Sequence, residues 1–202
     1  MTDLTALSGI VPPILTPLMP DGQVDLRSLM RLTRYLMING VHGIWACGTT
    51  GEFACIDAEE REHVTGTIVD TLDGKLPVIA NVSDCSTRLT IGHARRAVAV
   101  GADAIAVTPP YYYGNSQEEL LNMYREVRDA IDAPLYIYNI PSTSWRFHWS
   151  WAVPTALSNT FPPVLSHKTN KLQNTKPKPA SVSTERSEEH TSELQSRLHL
   201  VC

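Results

Sequence analysis

The sequence predicts an α/β fold of the (β/α)8 TIM barrel type, truncated to about five or six βα units, and three observations carry that expectation. Short apolar runs alternate with amphipathic stretches, and the runs start roughly 26 to 35 residues apart, the size of a strand, a helix and two loops. Polar and hydroxyl-bearing residues collect at the C-terminal end of each run, as a barrel that gathers its strand ends around one mouth requires. An open doubly wound sheet would favour one crevice and usually a GxGxxG or GxxxxGK[ST] phosphate loop, and neither motif occurs.

The elements follow in chain order. The first run, "GIVPPILTP" from Gly9, ends on Thr16, and the second, "GIWACG" from Gly43, is followed by Thr49 and Thr50. The third, "PVIANV" from Pro77, carries Asn81 and leads to Ser83. The fourth, "AIAVTPP" from Ala104, leads through Thr108 to Tyr111 and Tyr112, and the fifth, "PLYIYNIP" from Pro134, holds Tyr138 and Asn139. The runs are apolar nearly throughout, the pattern of parallel strands covered on both faces. Asp57 with Glu60 and Ser116 with Glu119 have capping-box spacing, so helices are expected to start there. "EELLNMYREVRDAI" has apolar residues at helical intervals, and Gly40, Gly74 and Gly101 punctuate helix ends.

With 202 residues, 43% apolar and 19% charged, the chain has the composition of a soluble globular protein. No apolar run approaches the roughly 18 residues that span a bilayer, and the N-terminus does not read as a secretory signal, so a cytoplasmic location without membrane partners is expected. The net charge of −4 divides into −7 over residues 1–144 and +3 over 145–202. An acidic body without a basic stripe, and a basic tail without interleaved aromatics, argue against nucleic acid. Cys47, Cys55, Cys85 and Cys202 lack CxxC pairing and read as buried or incidental thiols. His42, His63 and His93 lack metal-ligand spacing, so no metal or organic cofactor is expected. Glu52 reads as a turn residue and "EEREH" from Glu59 as a solvated helix face.

The text changes character after Ser144: three of the four tryptophans fall within seven residues, and the later part is polar without apolar periodicity. Residues 1–144 are therefore expected to be the N-terminal part of the barrel. Residues 145–174 are a doubtful continuation with a possible sixth strand ending at Lys168, and residues 175–202 a non-native or disordered tail. Arg186–Ser196, "RSEEHTSELQS", resembles translated sequencing-adapter read-through. An unclosed barrel leaves strand edges unpaired, which predicts aggregation, swapping or poor folding.

"GTTGE", residues 48–52, admits two readings. Its glycines suit a tight strand-to-helix turn, and its hydroxyls with exposed N–H groups can hold a carboxylate or phosphate. Tyrosines at strand ends are commonly packing residues. In combination, "GIVPPILTPLMPDGQVD", "GTTGEF", "LPVIANV", "AVTPPYYYGNSQEEL" and "YNIPS", in unbroken order from Gly9 to Ser144, resemble the dihydrodipicolinate synthase and N-acetylneuraminate lyase (DapA-like) family of class I pyruvate-dependent aldolases.

That resemblance implies a (β/α)8 barrel, a homo-oligomer (dimer or tetramer), and an imine between a lysine and the ketone of pyruvate or a related 2-oxo acid. It assigns Thr50, with the N–H groups of the loop around Gly51, to the substrate carboxylate. Thr49 also lines that substrate loop and, together with Tyr112 reaching in from a neighbouring subunit, forms a proton relay. Tyr138 becomes the general acid/base. Lys168, at the end of "PPVLSHK", matches the imine-forming lysine. A second reading takes residues 145–170 as frameshifted text in which Lys168 is coincidental. Lys75 falls before the third run, at the wrong end of the barrel, and Lys171, Lys176 and Lys178 read as tail charges. Thr143 stands where dihydrodipicolinate-forming members carry an arginine, which disfavours that reaction and leaves a lyase, hydratase or dehydratase at least as well supported. The alternatives are a catalytically inactive fragment of such an enzyme, or a non-catalytic 2-oxo acid binding protein.

Overall fold

The structure, a computed structural model, describes residues 9–138. The elements run α1 (Leu26–Ile38), β1 (Ile44–Ala46), a 3₁₀ turn (Phe53–Cys55), α2 (Ala58–Leu72), β2 (Val78–Asn81), α3 (Thr87–Ala99), β3 (Ala104–Val107), α4 (Gln117–Ala130) and β4 (Leu135–Ile137). The four strands form one parallel sheet in the order β1-β2-β3-β4. All described residues belong to one compact unit.

This order separates the two architectures. A doubly wound sheet reverses its strand order and places helices on both faces, whereas here each strand pairs with its predecessor without reversal. The packing agrees. One face of the sheet contributes Ile44, Ala46, Val78, Ala80, Ile105 and Val107 to cores shared with Leu29 of α1, Val64 and Ile68 of α2, Ala94 and Ala97 of α3, and Leu120 and Tyr124 of α4. The alternate residues Trp45, Ile79, Ala104 and Ala106 cluster with Val11, Tyr136 and Tyr138, and no residue of a described helix joins them. A helix-covered outer face and a strand-lined inner face are what barrel strands present. The apolar runs thus reflect a barrel interior on one side, and the described helices cover the other.

The first apolar run is the one predicted strand that does not become a ladder. Pro12 and Pro13 have no N–H to give, so pairing stops at one parallel bridge, Pro13 with Trp45. The segment still follows the β1 edge: the Trp45 N–H donates to Pro12 O (3.0 Å), the Ile14 N–H to Trp45 O (3.0 Å), and the His42 N–H to Ile10 O (2.7 Å).

Helix boundaries follow local chemistry. Both expected capping boxes form, at Asp57 with Glu60 and at Ser116 with Glu119. Asp25 and Ser86 cap α1 and α3. Gly40, Gly74 and Gly101 follow the helix ends with φ of +81°, +69° and +96°, the left-handed region that side-chain-bearing residues seldom enter. The expected boundaries at 144 and 174, the possible sixth strand and the adapter-like stretch lie outside the described residues. No described helix is long and apolar enough to cross a membrane.

Candidate active site

Because the strands are parallel, their C-terminal ends open on one side, and the loops there carry the candidate residues. The loop after β1 begins at Cys47, a buried residue with φ +51°, and turns through Gly48, Thr49, Thr50 and Gly51 into the 3₁₀ turn. The Gly51 N–H donates to Gly48 O (3.0 Å) and the Glu52 N–H to Thr49 O (3.1 Å), which closes the turn on itself. Thr16, at the end of the first run, donates its hydroxyl to Gly51 O (2.7 Å). Gly51 is buried, and a Cβ there would come 2.9 Å from Ile14 O, so glycine is required by close approach of two backbones.

Thr49 and Thr50 are exposed at the rim, and neither their hydroxyls nor their N–H groups bond to another described residue. Glu52 has φ +54° and heads the 3₁₀ turn without a side-chain capping bond, so it serves the turn through its backbone.

Tyr138 leaves β4 at the same end of the sheet, its N–H donating to Val107 O (2.9 Å). Its ring meets Trp45 edge-on, centroids 5.4 Å apart, and burial raises its pKa above the ordinary phenol value. Tyr112, 73% exposed, packs edge-on against Tyr113 in the loop after β3. Tyr111 turns inward instead, edge-on to Phe53 at 5.7 Å. Its pKa is pushed up to about 12, first by burial and then by a hydrogen bond with Cys85. Thr49, Thr50, Gly51, Tyr112 and Tyr138 therefore all occupy one end of the sheet. Lys168 and Thr143 lie outside the described residues. Lys75 is exposed, sits just before β2 at the opposite end, and pairs with Asp73.

One expectation is overturned. Arg61, within the stretch read as a solvated helix face, is buried at 8% exposure. Its Nη1 donates to Ser83 O (2.9 Å) and its guanidinium lies 5.2 Å from the centre of the Phe53 ring. Its neighbours Glu59 and His63 are exposed, but position 61 falls on the inner stripe of α2, where hydrogen bonds to the Ser83 and Ile56 carbonyls satisfy the charge. A charge run in sequence gave no signal of this.

Two of the described histidines have hydrogen-bond partners. His42 Nδ1 accepts from the Ile10 N–H (3.0 Å), and His93 pairs with Asp84 at 2.9 Å. Cys47, Cys55 and Cys85 are free thiols.

A polar tie lies behind the rim. The Asn81 amide donates to Cys47 O (2.8 Å) and accepts from the Ser83 hydroxyl (2.6 Å), which in turn accepts from the Thr108 N–H (2.8 Å). The sequence placed Asn81 and Ser83 at the mouth, but no pattern indicated that both are buried.

Residues 6–150 match the model of the dihydrodipicolinate synthetase family. The chain belongs to that family. It is 40% identical over 140 residues to an uncharacterized DapA-like lyase of Halobacterium salinarum, covering 69% of this chain and 46% of that one. It is 38% identical over 133 residues to the 4-hydroxy-tetrahydrodipicolinate synthase of Pelobacter propionicus, covering 66% and 46%. Among solved structures, YagE, a prophage protein of the dihydrodipicolinic acid synthase family from Escherichia coli in complex with pyruvate, superposes with a TM-score of 0.74 at 30% identity, covering 79% of this chain and 53% of that one. The pyruvate complex of the Acinetobacter baumannii dihydrodipicolinate synthase gives 0.67 at 34%, covering 69% and 48%. The chain spans about half the length of the curated relatives it matches. The sheet order and one-sided helix layer are thus those of a segment of the (β/α)8 barrel of the dihydrodipicolinate synthetase family.

Proposed function

We propose that this chain carries the substrate-carboxylate cradle of a Schiff-base-forming aldolase or lyase acting on pyruvate or a related 2-oxo acid. The observation that supports this most is the Thr49–Thr50 rim: two exposed hydroxyls and two N–H groups without described partners, at the mouth end of the sheet. Such a set suits a carboxylate, which accepts several hydrogen bonds and needs no buried cation to neutralise it.

In this reading the Thr50 hydroxyl and the Thr49 and Thr50 N–H groups, presented by the turn that Gly51 closes, hold the carboxylate, placing the 2-oxo carbon over the mouth. The amine of Lys168 adds to that carbon, and loss of water gives the imine. Tyr138 donates the proton that lets the carbinolamine oxygen leave as water. Its burial-raised pKa keeps the phenol protonated near neutrality, so it starts as the acid, and its proton is replaced through the relay of Thr49 and Tyr112. Removing a C3 proton from the imine gives the enamine that makes or breaks the carbon–carbon bond. Tyr112, largely exposed here, would complete the relay from a second copy of the chain, in a dimer or tetramer.

A non-catalytic binding protein is the second reading. Among the described residues the only lysine, Lys75, is at the far end of the sheet. Reduction with borohydride in the presence of pyruvate, followed by peptide mapping, separates the readings. An adduct on Lys168 is the expected result. Pyruvate-dependent NMR shifts at Thr49–Gly51 without any adduct would favour the binder. Neither shifts nor adduct would leave an inactive fragment and overturn the proposal.

A further inference from the structure

The backbone ladder ends where the candidate site begins. Past Ala46 the chain bends at Cys47 into a left-handed conformation, and past Val107 it departs toward the tyrosine loop at Thr108. A carbonyl at Cys47 and an N–H at Thr108 would then be left buried without ladder partners, a costly state for either group. Two side chains, Asn81 at the end of β2 and Ser83 just past it, take both. Asn81 donates to Cys47 O at 2.8 Å, Ser83 accepts from the Thr108 N–H at 2.8 Å, and the two join through the 2.6 Å bond from the Ser83 hydroxyl to Asn81. Asn81 and Ser83 are 3% and 0% exposed, so neither is placed to meet a ligand.

The tie does more than close the sheet. Cys47 is a non-glycine residue in a region that side chains enter at a cost of about 1 kcal/mol or more, and such a conformation persists only where its surroundings hold it. Its carbonyl orientation is fixed by Asn81, and the next residues in the chain are Gly48, Thr49 and Thr50. At the other end, Thr108 is the root of the loop that carries Tyr112. One buried pair therefore connects the roots of the cradle and of the tyrosine loop. We infer that Asn81 and Ser83 are positioning residues that set the orientation of the Thr49–Thr50 rim relative to the tyrosine loop without touching the substrate. The consequence for ligand binding rests on the 2-oxo acid reading above; the consequence for loop order does not.

The test uses the full chain with Asn81→Leu, which keeps bulk and removes both hydrogen bonds, and Ser83→Ala, which removes the second half of the tie and leaves Asn81 able to reach Cys47. Residue-resolved amide hydrogen exchange and a pyruvate titration are read on each. Asn81→Leu is expected to raise exchange in residues 47–53 by at least about tenfold over any change in α2 and α3. Pyruvate binding should weaken by about tenfold or more. Ser83→Ala should raise exchange chiefly at 108–115, and it carries the test if Asn81→Leu does not fold. A uniform rise across the helices, or unchanged exchange at 47–53, would overturn the inference by reducing the pair to general core support. Unchanged pyruvate affinity on a loosened loop would overturn it as well. If the parent chain binds no pyruvate, the 2-oxo acid reading fails, and the exchange pattern alone decides the role of the pair.

Discussion

Gly51→Ala tests how tightly the cradle is seated on the first segment of the chain. A Cβ at position 51 would lie 2.9 Å from Ile14 O and 3.2 Å from the Thr16 hydroxyl. The nearer atom is backbone, held at the β1 edge because the Ile14 N–H is bonded to Trp45 O, so it cannot swing aside as a side chain would. Overpacking of this kind costs roughly 1–3 kcal/mol, and displacing the loop also removes the Thr16–Gly51 hydrogen bond, worth about 1 kcal/mol. The sum, roughly 2–4 kcal/mol, lowers Tm by something on the order of 10 °C for a chain of this size.

Gly92→Ala is the matched control. Gly92 sits inside α3 with nothing within 4 Å of its would-be Cβ, so the same substitution gains helix propensity and raises stability by up to about 1 kcal/mol. Thermal and urea unfolding followed by circular dichroism reads both. Opposite signs are expected. A Gly51→Ala variant within about 2 °C of the parent, a shift well below what the contact demands, would refute the close-approach argument.

Three further outcomes are expected. Tyr111 has its pKa raised to about 12, chiefly by burial, so the folded state holds a proton that the unfolded chain gives up near the ordinary phenol value of 10.0. Its contribution is present below pH 10 and is lost as the pH rises toward 12; unfolding temperatures should fall across that window, and Tyr111→Phe should flatten part of the fall. The Cys47 thiol is pushed up to about 11 by burial, whereas Cys55 is exposed. Labelling with a disulfide reagent at pH 8 should therefore modify Cys55 at least about a hundredfold faster than Cys47, and mass mapping of labelled peptides would show otherwise if Cys47 were accessible. Asp57→Ala removes the bonds to the N–H groups of Glu59 and Glu60 at the start of α2 and should cost about 1 kcal/mol in urea unfolding, with Asp57→Asn losing less.

How much of this was legible in the sequence depends on the range of the interaction involved. Helix starts were, because a capping box is a contact between residues three apart, and both Asp57–Glu60 and Ser116–Glu119 formed as spaced. Strand existence was too, since an apolar run of four to six residues between helices has few other uses. The prolines marked the limit. "GIVPPILTP" has the apolar content of a strand, yet Pro12 and Pro13 withhold the N–H groups a ladder needs, and the segment follows β1 through a single bridge. Sheet order and the division into helix-covered and interior faces depend on contacts between distant strands. They rest on Trp45, Ile79, Ala104, Ala106 and Tyr136 packing together with no residue of a described helix among them.

The candidate site divides along the same line. Thr49, Thr50 and Gly51 could be named from a five-residue motif because the turn that presents them closes on itself through Gly48 O and Thr49 O. What holds that turn in place comes from elsewhere in the chain: Thr16 from 35 residues away, Asn81 from 34, and behind Asn81 the Ser83 hydroxyl and the Arg61 guanidinium. Arg61 looked like surface charge, and nothing marked Asn81 at the strand end as a buried tie; both gaps have one cause. A polar residue in sequence carries no mark of whether its partner is water, substrate or a stranded backbone group, and at a barrel mouth, where ladders end, stranded backbone groups are common. Buried polar side chains at strand ends should therefore be weighed first as partners for the departing loops, and only the polar groups left over after that accounting, here the rim of Thr49 and Thr50, as partners for a ligand.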